Sequence, residues 1–480
     1  NFVYSGNFFT QIEGCQFDTT RVVMGINPED FAWVLEEGQE FITPEVVMVY
    51  SNEGIGKMTR TFHDLYRNNL IRGKYKDKKR PILINNWEAT YFDFNNEKIK
   101  EIAKESSKLG MELFVLDDGW FGERNNDDCS LGDWFVNEEK LKGGLNSLAT
   151  DINKMGMQFG LWFEPEMISP KSKLYEEHPD WCIHIDGRIR SEARKQLILD
   201  LSRDEVCEAV IKMITDVLKS APISYVKWDM NRNMTEIGST AWPAKKQKEI
   251  AHRYMLGLYK ILENITSNFP NILFESCSGG GGRFDGGMLY YMPQTWTSDD
   301  TDAIERLMIQ EGTSLVYPTS SMGSHVSAVP NHQVHRSTPL NTRGVVAMAG
   351  SFGYELDVTK MNEEEKEEVK KQVEFYKNIR STVQFGDLYR LKSSFDSNEA
   401  AWMNLSKDGK EVVVSYVKKY AEANVIPRRL KVKALDENSL YEVIETGEVF
   451  GGDELMYIGL EIGELMGDYQ AKNWTLRKVD

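Results

Sequence analysis

The chain has 480 residues, 41% of them hydrophobic, and a formal net charge of −17 from 57 basic and 74 acidic side chains. That length exceeds one ordinary domain, and the acidic balance argues against nucleic acid and against an anionic membrane as partners. Five scattered cysteines with no CxxC pair exclude a disulfide scaffold and a zinc ribbon; with no signal peptide and no apolar run of spanning length, a cytoplasmic location is expected.

The chain opens without Met, inside what reads as a strand, and is expected to be a fragment or a processed form. Residues 1 to 50 carry short apolar or alternating runs (Phe2-Val3-Tyr4, Arg21 to Ile26, Val46 to Tyr50) separated by Gly and Pro, which predicts β-structure, the tail of a sandwich. Helical spacing over 53–72 ends in the basic stretch Lys74 to Arg80, which predicts a boundary there. From Pro81 the rhythm becomes strand–helix. Predicted strands are Ile82-Leu83-Ile84, Leu113 to Leu116 ending in Asp117-Asp118, Phe159 to Phe163 running on to Glu166, Leu197 to Leu201, Tyr225 to Trp228 stopping at Asp229, Ile272 to Cys277, Thr295 to Asp299, and an eighth near Met322 to Val329. Helices are predicted around 96–109, 147–155, 204–220, 244–268 and 303–312. Apolar strands alternating with crossover helices indicate a parallel sheet, and eight repeats suit a (β/α)8 TIM barrel in an α/β chain better than an open sheet. No GxGxxG opens a helix, which removes the support for a dinucleotide fold. A charged helix over 362–379 precedes alternating runs at Glu411 to Val417 and Leu440 to Ile444, with a turn at Gly451-Gly452, which predicts a small C-terminal antiparallel β-domain. The expected units are 1–78, a partial N-terminal β-sandwich segment with a linker helix; 79–385, the barrel; and 386–480, the C-terminal domain.

The stretch Tyr225-Val226-Lys227-Trp228-Asp229 sets Lys227 and Asp229 on one face and Val226 and Trp228 on the other. A Lys–Asp couple inside a barrel strand points to chemistry, because barrel active sites sit at the C-terminal strand ends. The alternative is an Asp that caps the next helix. Other strand ends carry Trp87, Asp117, Asp118, Trp162, Glu164, Asp200, Cys277, Trp296, Asp299, Asp300 and Asp302. Asp300 or Asp302 could cap the helix that starts near Ala303. None of the seven histidines falls in a metal pattern, and no GxSxG elbow is present. The glycine run 279–282 lacks the Lys-Ser/Thr ending of a phosphate loop and reads as backbone that approaches something closely. Carboxylates with tryptophans suit a sugar: aromatic faces pack on pyranose C–H patches, ionised carboxylates accept from vicinal hydroxyls, and two further carboxyl groups cleave a glycosidic bond. A Lys beside the nucleophile is expected to hold it ionised.

Lys227-Trp228-Asp229-Met230-Asn231-Arg232, Trp296-Thr297-Ser298-Asp299-Asp300-Thr301-Asp302 and Leu116-Asp117-Asp118-Gly119-Trp120 resemble bacterial α-galactosidases of glycoside hydrolase family 36, and the resemblance runs along the whole chain. It implies a retaining hydrolase of melibiose, raffinose or stachyose type substrates, with an N-terminal β-supersandwich of which this chain carries only the end, a central (β/α)8 barrel and a C-terminal antiparallel β-sandwich domain. It implies Asp229 as nucleophile and Asp299 as acid/base; spacing alone does not choose Asp299 over Asp300, Asp302 or Glu164. Asp117 and Asp118 match the pair gripping the galactose C4 and C6 hydroxyls, and Trp87, Trp162, Arg194, Lys227, Cys277, Gly279 and Trp296 match other sugar-contacting positions. The resemblance also implies no metal or organic cofactor, and a homo-oligomer, a tetramer in many relatives. The two carboxyl groups are expected about 5–5.5 Å apart. The alternatives are an α-N-acetylgalactosaminidase and a galactoside-binding fragment without turnover.

Overall fold

Eight parallel strands close into a barrel in a computed structural model that describes residues 1–424 and 426–479. These are β1 (Leu83–Asn85), β2 (Leu113–Leu116), β3 (Gln158–Phe163), β4 (Tyr225–Trp228), β5 (Leu273–Ser276), β6 (Gln294–Trp296), β7 (Met322–Ser327) and β8 (Ser351–Glu355). They follow one another round the barrel in chain order, and β8 closes on β1. Every residue of β2 and β4 is buried, as expected of strands covered on both faces. Outward residues such as Val226 and Trp228 join one core with the inner stripes of the surrounding helices, among them Ile102, Leu148, Ile214, Leu258 and Ile261. Inside, Tyr75, Leu83, Leu113, Val115, Tyr225 and Leu273 form an apolar plug. The next inward positions on β3, β4 and β5 are Trp162, Lys227 and Glu275, side by side in register. The interior therefore turns from apolar to ionised towards the C-terminal ends of the strands.

The barrel is the predicted one, but two of its strands differ from expectation. Leu197–Ile198 pairs antiparallel with Met167–Ile168, outside the barrel sheet. A short apolar run carries no information about its partner, so it passed for a barrel strand. The barrel's last strand is instead Ser351–Glu355, and Met322–Ser327 is the seventh. Gly353 weakens the apolar signal of β8, and it is there for a packing reason: a Cβ would come within 2.8 Å of the His325 ring and 2.9 Å of the Leu83 carbonyl oxygen.

Before the barrel, Phe2–Val3 pairs with Glu45–Val46, and Phe8–Cys15 forms a hairpin with Thr19–Ile26. The hairpin leaves Ile12 and Phe17 72% and 76% exposed. The helix Gly54–Leu65 and a π-turn, Tyr66–Leu70, lead into β1. After the barrel and the helix Glu363–Phe385, six antiparallel strands form a sheet with its own core of Met403, Val412, Val414, Tyr416, Trp474 and Leu476. Gly451-Gly452, predicted as a turn, leads into a short helix, Gly452–Tyr457. Among the described residues no helix is long and apolar enough to cross a membrane.

Candidate active site

At the C-terminal ends of the strands lies a cleft of about 750 Å3, its open mouth included. Ten of the residues singled out from sequence line it together: Trp87, Asp117, Asp118, Trp162, Glu164, Arg194, Lys227, Asp229, Trp296 and Asp299. The barrel sets most of these by one rule, since strands that end in register deliver their next residues to one surface. Asp117 follows β2, Glu164 follows β3, Asp229 follows β4, Cys277 follows β5, and Glu355 ends β8.

Two ion pairs frame the floor. Lys227 Nζ donates to Asp117 Oδ2 at 3.2 Å, and Asn85 Nδ2 donates to the same oxygen at 2.6 Å. Asp118 receives Arg124 Nε at 3.0 Å and Nη2 at 2.8 Å. Burial pushes the Asp118 carboxyl up, and Arg124 opposes it. Burial would lower Lys227, but Asp117 above all, then Cys277, Glu355 and Asp229, hold its ammonium well above the ordinary value.

The expectation that Lys227 pairs with Asp229 is corrected here, because the ammonium is bonded to Asp117. Asp229 is held by neutral donors: Trp162 Nε1 at 3.2 Å and Asn231 Nδ2 at 2.8 Å on Oδ2, and the Met230 N–H at 2.9 Å on Oδ1. Alternation along one strand puts Lys227 on the right face, but its partner is chosen by strands that sequence does not place.

Asp299 accepts Trp296 Nε1 at 3.1 Å, and Gln333 Nε2 donates to its backbone carbonyl at 3.0 Å. The desolvating cleft wall, then the charge of Asp229, push its carboxyl up. The residue as a whole faces the open mouth, where water screens part of that effect. Trp296 is fixed between the His325 ring, centroid 4.4 Å away, and the Arg306 guanidinium, 4.4 Å from its ring centroid. His325 Nδ1 lies 3.3 Å from Glu355, whose carboxyl is lowered because His325 and Lys227 outweigh its burial.

Cys277 and Gly279, singled out from sequence, are not brought into the cleft lining. Cys277 is buried, and that burial, followed by the charge of Asp229, pushes its thiol well above the ordinary value. The Gly279 N–H donates to Asn231 Oδ1 at 3.1 Å. Arg194 is placed by an unusual turn. It and Lys195 both have φ near +55° (53° and 58°), and they link Ala193 to Gln196, whose N–H donates to the Ala193 carbonyl at 3.0 Å. Two positive φ angles in a two-residue turn normally call for Asn-Gly, so non-glycine residues there store strain in the loop that carries Arg194 and Gln196 to the site.

Asp302 is a helix cap: its Oδ1 accepts the N–H groups of Ile304 at 2.9 Å and Glu305 at 3.1 Å. Within the glycine run, Gly280 and Gly281 back closely onto the 296–299 backbone, while Gly279 is exposed. Gly280 bridges to Ser298, and Arg283 at its end donates to Glu166 Oε2 at 2.9 Å and Oε1 at 2.7 Å in a buried pair. Several cleft residues had no assigned role from sequence: Glu88, Arg124, Asn231, His332 and Glu355. Glu355 sits on the strand that periodicity missed. Glu88 and Asn231 stand next to or within the motifs, where position relative to Trp87 and Asp229 is a usable signal. Arg124 and His332 come from loops and leave none.

The melibiase family model matches residues 40–386, the N-terminal domain model of glycosyl hydrolase family 36 matches residues 1–36, and the C-terminal domain model matches 399–476. Alpha-galactosidase AgaA of Geobacillus stearothermophilus is 62% identical over 479 residues, covering 100% of this chain and 66% of that protein. Alpha-galactosidase Mel36A of Lactobacillus acidophilus is 51% identical over 477 residues, 99% of this chain and 65% of that protein. The crystal structure of AgaA superposes with a TM-score of 0.98, covering 100% of this chain and 67% of that one. The galactosidase domain of AgaSK superposes with a TM-score of 0.96 at 45% identity, covering 100% of this chain and 65% of that one. The chain thus spans about two thirds of the length of these relatives. With a matching model along the barrel and one on each side of it, the chain belongs to the melibiase family, glycosyl hydrolase family 36.

Proposed function

We propose that the cleft hydrolyses terminal α-D-galactosyl residues of galacto-oligosaccharides with retention of configuration. One observation carries the reading: Asp229, held by three neutral donors, shares a cleft with Asp299, whose carboxyl is raised. Asp229 attacks C1 while Asp299 protonates the leaving oxygen; Asp299 then takes a proton from water, which releases galactose in the α-configuration. Asp117 and Asp118, each already paired to a cation, accept from the sugar's C4 and C6 hydroxyls. Trp87, Trp162 and Trp296 supply apolar faces and walls, and Arg194, Cys277 and Gly279 complete the sugar subsite. Structures of AgaA variants in complex with raffinose and with stachyose support that substrate class.

Functional units of 1–78, 79–385 and 386–480 are part of the same proposal, supported by barrel strands that run from Leu83 to Glu355 and by the separate C-terminal core. So are a cytoplasmic location and self-association, the latter supported by the apolar side chains exposed on the N-terminal hairpin. Light scattering that finds only monomer would remove self-association. The activity is tested by NMR of the first-formed sugar from an aryl α-galactoside. α-Galactose as the initial product supports double displacement; β-galactose rejects it. Faster hydrolysis of the N-acetylgalactosaminide would reassign the substrate.

A further inference from the structure

Glu164 stands where β3 ends, 1% exposed, on the wall of the cleft. Its Oε1 accepts the backbone N–H of Asn231 at 2.7 Å. The Asn231 side chain donates to Asp229 Oδ2 at 2.8 Å and accepts the Gly279 N–H at 3.1 Å. One carboxyl oxygen therefore fixes the residue that orients Asp229. The other, Oε2, receives the Gln196 amide at 3.3 Å, brought there by the strained Arg194-Lys195 turn.

Two of the cleft's cations are committed elsewhere, and the third, Arg194, forms no ion pair among the described residues. Arg124 is bound to Asp118, Lys227 to Asp117, and among the described residues Glu164 has no ion-pair partner. A buried carboxylate without a cation is costly to keep ionised, which favours its neutral form. Among the described residues the cleft thus holds four carboxyls without a salt bridge: Asp229, Asp299, Glu164 and the exposed Asp127. The first two have work that fixes their protonation. The third is the most enclosed.

We propose that Glu164 is a positioning residue that works as a neutral acid, holding Asp229 in place through Asn231 and disabling the site when it ionises. The inference rests on the reading of Asp229 as nucleophile. Burial first, and Asp229 second, push the Glu164 carboxyl up to about 8, with Arg124 opposing. The groups that face it are Asp229 after β4, Arg124 from the loop after β2, and the uncharged Asn231 and Gln196. When Glu164 releases its proton to solvent, the cleft gains a negative charge against Asp229. Two ionised carboxylates in one buried wall repel each other, so Asp229 is pushed out of line.

The test compares wild type with Glu164→Gln and Glu164→Asp on an activated aryl α-galactoside, whose leaving group needs little protonation. Wild-type kcat/KM should fall above about pH 8 by about tenfold per pH unit. Glu164→Gln, which keeps the acceptor and cannot ionise, should carry its plateau at least one unit further. Glu164→Asp, which keeps the acid and shortens its reach to Asn231, should lose on the order of a hundredfold at every pH and retain an alkaline limb. An alkaline limb unmoved in Glu164→Gln, or a Glu164→Asp enzyme as active as wild type, overturns the proposal. Infrared difference spectra of wild type minus Glu164→Gln give a readout that needs no turnover. A protonated-carboxyl band at pH 7 that bleaches as pH passes about 8 supports it, and no such band at pH 7 overturns it. Wild type without activity on any α-galactoside, with that band present, would sink the functional reading and leave the neutral acid standing.

Discussion

Lys227 gives its ammonium to Asp117 and not to Asp229, two residues along its own chain: Nζ lies 3.2 Å from Asp117 Oδ2, and both side chains are buried. The pair spans β4 and the end of β2, so it ties the Asp117 side of the cleft to the side that carries Asp229. Its members support each other only together. Lys227→Met leaves Asp117 buried and unpaired, at an expected cost on the order of 3–5 kcal/mol in urea unfolding. Adding Asp117→Asn should recover a large part of that stability, because the uncompensated charge goes with it. Both variants should bind galactose poorly. Strictly additive losses would show that the two side chains do not depend on each other.

The raised carboxyl of Asp299 has a kinetic and a thermodynamic consequence. As proton donor it works below its folded pKa and fails as pH rises through it. Asp299→Ala should slow substrates with basic leaving groups far more than activated aryl ones, and the alkaline loss should be steeper for the former. For stability the sign is fixed by proton counts. Between the ordinary value of 3.8 and the raised one, the folded state binds more protons than the unfolded state, so stability falls as pH rises across that window. Asp299→Asn should flatten this slope in chemical denaturation at pH 4 and 6. Equal kinetic loss on both substrate types would reject Asp299 as the donor.

His332 sits at the cleft mouth with Nδ1 3.4 Å from Glu88 Oε1. The bond to Glu88 raises its pKa above 6.5, and partial burial opposes the rise. A histidine with a raised folded pKa contributes its full stabilisation below 6.5 and loses it as pH climbs through the folded value. Its neighbour Gln333 holds the Asp299 backbone, and Asn331 donates to Thr301 Oγ1 at 3.1 Å. Residues 328–335 should therefore exchange amide hydrogens faster at pH 8.5 than at pH 6 relative to the rest of the barrel. His332→Gln should remove most of that difference. A pH-independent exchange ratio in wild type would show that the ion pair does not order the loop.

The sequence disclosed most of the fold because short apolar strands and amphipathic helices alternate from Pro81 onward, and that rhythm has few solutions. It failed where a strand is stabilised by something other than its own apolar side chains. β8 contains Gly353 because its neighbours His325 and Leu83 fill the space. Leu197–Ile198 looks like a strand of the barrel and pairs with Met167–Ile168 instead. The site followed the same logic. Strand-end aspartates and tryptophans were visible one by one, whereas the Lys227–Asp117 pair and the link from Glu164 through Asn231 to Asp229 arise between strands.

The glycine run shows what such a cross-strand relationship demands of a sequence. At Gly280, where φ is +85°, a Cβ would lie 2.6 Å from the Asp299 nitrogen and 2.7 Å from the Ser298 Cα. Both the backbone conformation and the close approach exclude a larger residue. Gly280→Ala must move either its own loop or the segment that carries Asp299, and a displacement near 1 Å at a reacting group costs on the order of a hundredfold. The loss should fall mainly on kcat and should be larger for basic leaving groups, the signature of a misplaced proton donor. Gly14→Ala, in the N-terminal hairpin with nothing within 4 Å of the added carbon, is the control and should change neither. If Gly280→Ala slowed activated and unactivated substrates alike, the damage would lie at Asp229 or in sugar binding, and the glycines would serve the pocket rather than the placement of Asp299.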